Sequence, residues 1–444
     1  MDRLIRSENH QHAEKPDTGR DDKIPAHWRL IRLRAILLPT SVNDCADYPL
    51  LSITRDAGVI LRNVDNTEEN HNFIPDDLSN YKLLKKGQFG MNKMKAWQGS
   101  YGVSEYTGIV SPAYYTFNLC GDIIPEFFHL AIRSDLYISY FASASDGVRV
   151  GQWDLSRTRM KEIPLLAPPR AEQLAIADFL RDRTSKIGQA IQIKERQIER
   201  LKERKQILIQ QAVTLGLDPN APMRDSGIEW IGETPAHWSI KRAKYLFREV
   251  DERSLDGQQE LLSVSHLTGV TPRSEKNVTM FMSEDYTGSK TCQKDDLIFN
   301  IMWAWMGALG VSDRAGIVSS AYGIYRQLRP GTLNSQYLEM LLKTTAYIAH
   351  YNKVSTGLHS SRLRFYGHMF MAMEIGFPDR EEQDAIVVYL DLESGKLNKA
   401  VDLLEQQITK LKEYKATLIN SAVTGKIRVP GLVESPELKE REFA

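Results

Sequence analysis

Three cysteines in 444 residues, Cys45, Cys120 and Cys292, stand far apart and are odd in number. They argue against a disulfide framework and for a reducing compartment, the cytoplasm. Net charge is also missing: 57 Lys plus Arg are balanced by 57 Asp plus Glu. That balance excludes a uniformly basic nucleic-acid coat and a highly acidic disordered chain. No apolar run approaches the roughly 20 residues of a membrane helix. Residues 1–20 are polar, without the apolar core of a secretory signal. Catalytic signatures are lacking too. There is no GxxxxGK[ST] phosphate loop, no GxGxxG between a strand and a helix, and no GxSxG elbow. The thiols have no metal spacing and His10 and His12 lie in the polar N-terminal segment, so no metal site is expected. The acidic pairs Asp76–Asp77 and Asp295–Asp296 could suggest a metal-dependent nuclease, but acidic pairs in loops are more often solvated faces. The chain therefore reads as non-catalytic.

What it does contain is a repeat. Ile24-Pro-Ala-His-Trp28 matches Thr234-Pro-Ala-His-Trp238 at an offset of 210. Glu172-Gln173-Leu-Ala-Ile176 matches Glu382-Gln383-Asp-Ala-Ile386, and Ala212-Val-Thr214 matches Ala422-Val-Thr424, at the same offset of 210. A weaker match at offset 208 joins Ala96-Trp97-Gln-Gly99 to Ala304-Trp305-Met-Gly307, and Gly108-Ile-Val-Ser111 to Gly316-Ile-Val-Ser319. The chain is a tandem duplication of a two-part module, whose first part keeps a scaffold of strands and turns while its loops diverge.

The second part of each module is helical. Ile187, Ile191, Ile198, Leu201 and Leu208, with Lys194 and Lys205 in register, form a heptad seam. Leu397, Val401, Leu404, Ile408, Leu411 and Leu418, with Lys415, form its counterpart. Shorter helices are expected at 171–180 and 381–390, separated from the long ones near Thr184-Ser185 and Ser394-Gly395. Asp379 and Glu382 have capping-box spacing, and Gly216 and Gly425 are expected stops. Each long helix covers about 28 residues, or roughly 40 Å. Two such seams are most economically buried against each other, antiparallel and with pseudo-twofold symmetry. The alternative is that each packs on its own globular domain. The expected divisions are a tail at 1–23, a domain at 24–170, a helical region at 171–216, a connector at 217–233, a second domain at 234–380, a second helical region at 381–426 and a tail at 427–444. The fold class is α+β: two tandem α/β domains and an antiparallel coiled-coil spacer.

Local charge is more informative than net charge. Between Lys82 and Gly99 lie Lys82, Lys85, Lys86, Lys93 and Lys95 with no acid, beside Trp97 and Gln98. Arg149, Arg157, Arg159 and Lys161 follow in the same copy. In the second copy, Lys343, Lys353, Arg362 and Arg364 accompany three histidines, again without an acid between Met340 and Met373. Such stretches suit phosphate docking and base-edge reading; they also suit solvated surface loops. Trp97 and Trp305 read as core rather than base-stacking residues. The His-Trp pairs read as markers of each domain's start.

As a whole the pattern resembles the specificity subunit of type I restriction-modification systems across residues 24–426. The resemblance rests on Pro-Ala-His-Trp at 25–28 and 235–238, Glu-Gln at 172–173 and 382–383, and Ala-Val-Thr at 212–214 and 422–424. The stretches 92–114 and 300–322 resemble that family's target recognition domains. The resemblance implies two domains that each read half of a bipartite, asymmetric double-stranded DNA site. It implies helical regions that set the half-site spacing and dock two methyltransferase subunits. Restriction/translocase subunits can join them. The chain itself would bind no cofactor, its partners using S-adenosylmethionine, ATP and Mg. Candidate DNA contacts are Lys93, Lys95, Gln98, Arg149, Arg157, Arg159, Asn300, His359, Arg362 and Arg364. The competing class is an architectural two-headed coiled-coil protein without a DNA role.

Overall fold

Aromatic residues set where each core forms. The computed structural model of the chain describes residues 24–63, 74–147, 153–276, 285–357 and 363–430. It divides into two units, residues 1–193 with 406–444, and residues 194–405.

In the first unit, strands Leu37–Thr40, Tyr115–Leu119, Phe89–Met91 and Tyr101–Val103 form a four-stranded antiparallel sheet in that order. Phe89 stands opposite both Phe117 and Val103. The alternate side chains of this sheet meet the apolar faces of α1 (Pro125–Ile132) and α2 (Asp135–Ser143). Phe127, Phe128, Tyr137 and Phe141 come from these helices, and all are buried. Burying each such ring contributes roughly 1.5–3 kcal/mol. Pro125 opens α1, where a missing N–H costs nothing. A short α3 (Arg157–Glu162) leads to strand Pro164–Ala167, which pairs with the domain's first strand, Arg29–Arg32. The long α4 (Arg170–Leu215) follows.

The second unit repeats this order. Strands Phe247–Glu249, Gly323–Gln327, Leu297–Phe299 and Leu309–Val311 form its sheet. Helices α5 (Ser335–Leu342), α6 (Thr345–Val354) and α7 (Gly367–Ala372) precede strand Glu374–Phe377, which pairs with Ser239–Arg242. The second long helix is α8 (Arg380–Val423). The architecture is mixed α and β, with antiparallel sheets.

The two long helices pair. The first unit's core takes in Ile176, Leu180 and Ile187 from the start of α4 together with Leu418, Ala422 and Val423 from the end of α8. The second takes in Ala212 and Val213 from the end of α4 together with Ile386, Val387 and Leu390 from the start of α8. The helices therefore run antiparallel. Ile187, Ile198, Ile408 and Leu418 are buried; Ile191, Leu201, Leu208, Leu397, Val401, Leu404 and Leu411 are half-buried. Lys205, in the seam register, donates to Asn398 Oδ1 at 3.0 Å.

Three expectations change, and one is refined. No break separates short from long helices: α4 is continuous over 46 residues and α8 over 44. α4 is thus ~69 Å long at 1.5 Å per residue, rather than roughly 40 Å. Serine and threonine weaken a helix by only tenths of a kcal/mol and Gly395 by about 1 kcal/mol, and the seam continues on both sides. The connector at 217–233 carries structure of its own. Met223–Asp225 pairs with Glu233–Pro235, and Trp230 stacks on His350 at 4.3 Å. The C-terminal tail starts later than residue 427, because Val429 is buried in the first core. Finally, Asp379 caps Glu382 N–H at 2.9 Å, but the Glu382 carboxylate goes to His237 and Trp238 instead of closing a capping box.

Both expected stops hold, with Gly216 at φ 78° and Gly425 at φ 76°. Each is also packed. A Cβ on Gly216 would lie 2.9 Å from Glu382 Oε1, and one on Gly425 would lie 2.5 Å from Pro25 Cδ.

The repeated motifs meet where head joins helix. His27 Nε2 and Glu172 Oε2 are 2.7 Å apart, and His237 Nε2 and Glu382 Oε2 are 2.8 Å apart. The adjoining glutamines are fully buried. Gln173 Oε1 accepts from Ile124 N–H at 2.8 Å while its Nε2 donates to the Asp122 and Pro168 carbonyls. Gln383 does the same with Asn334 N–H and the Thr332 and Pro378 carbonyls. Replacing either amide strands one buried donor and two acceptors. Gln383→Leu is expected to lower unfolding free energy by about 3 kcal/mol, measurable by denaturant unfolding, and Gln173→Leu by a similar amount.

Candidate nucleic-acid interface

Each head displays one turn built on a buried asparagine. Asn92 donates to Tyr114 Oη at 3.2 Å and accepts Met94 N–H at 3.2 Å. Asn300 donates to Tyr322 Oη at 3.1 Å and accepts Met302 N–H at 3.2 Å. The turns close with short 3-10 segments, Ala96–Gln98 and Ala304–Met306, each ending on a left-handed glycine, Gly99 or Gly307. A left-handed residue with no Cβ is needed there, since Ile138 and Ile348 press on those two glycines. Each turn is also held by a later segment of its head: Leu155 N–H, in the short strand Asp154–Leu155, donates to Lys93 O, and Phe365 N–H donates to Ile301 O. Lys82 and Lys290 complete the frame by donating to the carbonyls of Tyr114 and Tyr322, at 2.8 and 2.9 Å.

Behind the first turn, Arg133 binds the carbonyls of Gly99 and Tyr101 and those of Arg55 and Asp56, so it ties the 51–61 hairpin to the turn. His129 Nδ1 accepts Val103 N–H at 3.1 Å. In the second head Glu339 accepts Val311 N–H at 2.9 Å and pairs with Lys343.

The candidate contacts are distributed unevenly on this frame. Lys93 and Arg157 lie together near Tyr115. The Arg157 guanidinium lies 5.8 Å from the Tyr115 ring centroid. Burial holds the Lys82 ammonium below its usual range, with repulsion from Arg157 and Lys93 adding to it. Lys93 is paired with Asp154 at 3.0 Å, which raises its ammonium. Lys95 is exposed and has no partner among the described residues. Gln98 is half-buried in the turn. Arg159 pairs with Asp146. In the second head, Arg364 is half-buried, its guanidinium donating to Leu363 O and its backbone bridging Thr356. Asn300 is corrected: it is 6% exposed, and both ends of its amide hold the turn, so it is scaffold rather than a base reader. Arg149, His359 and Arg362 lie outside the described residues.

The tryptophans divide. Trp97 is half-buried against Trp153, with centroids 5.2 Å apart. Trp305 is half-buried against Trp303, which is 45% exposed. The acidic pairs are engaged elsewhere. Asp296 takes Arg326 through both oxygens at 2.7 Å, Asp295 accepts from Ser335 Oγ, and Asp77 accepts Ser79 N–H. No group of three or more potential metal ligands occurs among the described residues.

Several of these residues escape a local reading. A signal for them exists in the sequence: His27 to Glu172 and His237 to Glu382 both span 145 residues. Asn92 to Tyr114 and Asn300 to Tyr322 both span 22, and Lys82 to Tyr114 and Lys290 to Tyr322 both span 32.

No family model matches the sequence. The type I restriction enzyme MjaVIII specificity subunit of Methanocaldococcus jannaschii is 24% identical over 327 residues, 68% of this chain and 72% of that subunit. A chain solved in work on complex assembly and conformational transition of the type I R-M system aligns with a TM-score of 0.64 at 15% identity, covering 91% of this chain and all of that one. The HsdS subunit from Thermoanaerobacter tengcongensis aligns with a TM-score of 0.51 at 15% identity, covering 91% of this chain and 98% of that one. The chain is thus similar in sequence to a type I specificity subunit and shares its fold with chains solved from type I systems. Among the described residues no helix is long and apolar enough to cross a membrane.

The frame gives one pH prediction. Burial, with Arg133 beside it, pushes the His129 imidazole down from 6.5 to about 4, and the Val103 N–H needs the neutral ring. A depressed histidine stabilises the fold above about pH 6.5, and that contribution is lost as pH falls towards 4. It amounts to about 3 kcal/mol. His129→Gln keeps an acceptor but does not titrate. The stability difference between wild type and variant is expected to shrink across this window in denaturant titrations, and a difference constant with pH refutes the assignment.

Proposed function

We propose that this chain is the DNA-specificity subunit of a type I restriction-modification complex, each head reading one half of a bipartite, asymmetric site. One observation carries this reading. The two heads share their sheet order, their Asn–Tyr turn and their joint to the helices, yet differ in the side chains that the turn exposes. A device that reads two different half-sites needs a constant frame and variable contacts. An architectural protein needs no such division, and the homology to specificity subunits does not favour it.

In this reading the paired α4 and α8 set the gap between half-sites and dock two methyltransferase subunits, which supply S-adenosylmethionine chemistry at adenine. Restriction/translocase subunits that use ATP and Mg join the same assembly. The chain itself supplies recognition and no catalytic group. Its zero net charge implies that partners provide part of the phosphate clamp.

Two measurements test the proposal. Co-expression with its methyltransferase subunit in a methylation-free host, followed by long-read mapping of N6-methyladenine, is expected to show two short defined sequences around a fixed unread gap. A continuous motif refutes the two-headed arrangement. Absence of methylation by an assembled, cofactor-binding complex returns the chain to the architectural class. The isolated chain is expected to bind DNA weakly and with steep salt dependence; nanomolar sequence-specific binding without partners contradicts the shared clamp.

A further inference from the structure

We infer that positions 95 and 303, the exposed corner of the two turns, are specificity determinants with opposite chemistry: Lys95 selects a guanine edge, and Trp303 selects the methyl edge of thymine. The inference rests on the proposed function and adds to it which side chains read and what each reads.

The two corners are superimposable in their bonding. Residues 95 and 303 occupy the same place in their turns: Lys95 O accepts from Gln98 and Ser100 N–H, and Trp303 O accepts from Met306 and Ala308 N–H. The asparagine three residues earlier is anchored to a tyrosine in both, and the carbonyl of the residue after it accepts from Leu155 N–H in one head and Phe365 N–H in the other. The backbone is therefore fixed and only the side chains differ, with Lys93, Met94 and Lys95 in one head against Ile301, Met302 and Trp303 in the other.

The aromatic partners show that this difference is built in. The repeated tryptophan must cover its ring in both heads. Trp97 does so with Trp153, which directly precedes the strand Asp154–Leu155 and leaves the corner to lysine. At the place corresponding to Trp153 the second head has Leu363, and Trp305 is covered by Trp303 from the corner itself. The cost of an exposed indole is thus retained at the corner of one head alone.

The chemistry of the corners follows. A free ammonium supplies only donors, and in the major groove guanine O6 and N7 are paired acceptors. Among the described residues the Lys95 ammonium has no partner to give up, whereas nearby Lys93 is held by Asp154. The same head carries further cations at Lys82, Lys93 and Arg157, the last over the Tyr115 ring. An indole face offers no charge and a broad apolar surface, which suits the thymine C5-methyl group. A phosphate contact is the other use of an exposed lysine. It would carry no sequence information, and the experiment separates the two.

The test maps methylation by the whole complex carrying Lys95→Trp or Trp303→Lys, with Lys95→Met and Trp303→Leu beside them to limit packing changes. Each variant is expected to alter one base position in its own half-site only, a G·C pair for position 95 and an A·T pair for position 303. Methylation of the wild-type sequence should fall roughly tenfold or more, the effect of losing one good base contact. The untouched half-site is the control for folding. A motif unchanged in both halves overturns the inference, whether methylation stays full or falls evenly over all sites, as loss of a phosphate contact would give. If the wild-type complex methylates nothing, the proposed function itself has failed and this inference fails with it.

Discussion

Everything else in each module hangs on a glutamine amide sealed in the first turn of a long helix. Gln173 and Gln383 are fully buried, and each satisfies its oxygen and its nitrogen on the loop before the domain's first helix and on the strand end that precedes the long one. A buried amide in this position tolerates little movement, because any lost partner leaves a polar group without water. The neighbouring glutamate points the other way, to the histidine that opens the domain. Start, middle and end of each domain are thereby held at one helix turn. This explains why Glu-Gln and Pro-Ala-His-Trp keep one register in two copies that have otherwise drifted apart.

Where the copies have drifted, the constraint that survives is the bond and not the residue. Val103 N–H and Val311 N–H need an acceptor; a histidine provides it in one head and a glutamate in the other. A cation follows four residues later in each case, Arg133 tying down the 51–61 hairpin and Lys343 pairing with Glu339. Core positions behave alike. Phe89 corresponds to Leu297 and Phe117 to Tyr325, and each pair still meets across the same two strands. Apolar volume and satisfied backbone groups specify the head, which leaves the exposed corner of the turn free to change.

The tandem repeat, the helical seams and the glycine stops were legible because each is a local pattern: a fixed offset, a spacing of three and four, a glycine after the last apolar position. The joint was not legible in the same way. His237 and Glu382 are far apart in sequence, and nothing near either residue announces the other. Helix continuity was misread because Ser394-Gly395 looks like punctuation, although a seam intact on both sides outweighs a penalty of about 1 kcal/mol. Asn300 was misread for a related reason. An asparagine beside aromatics suits base reading, but one that begins a tight turn also suits local backbone bonding, and its 22-residue spacing to Tyr322, repeated from Asn92 to Tyr114, favours the turn.

Charge is where the balanced composition acquires a purpose. The cations around the first turn are not simply displayed: Lys93 and Arg159 lean on the exposed carboxylates of Asp154 and Asp146. Exposed pairs of this kind contribute about 0–1 kcal/mol, so they orient a cation without holding it firmly, and a phosphate can replace the carboxylate at little cost. On the proposed DNA-reading function, the local charge stays masked until such an exchange, and the long-range pull on arbitrary DNA is small. A reader whose non-specific attraction is weak depends more heavily on the contacts that fit. In the proposed reading those contacts fall on the two buried-asparagine turns, whose backbone bonding the repeat has kept while letting their corners diverge.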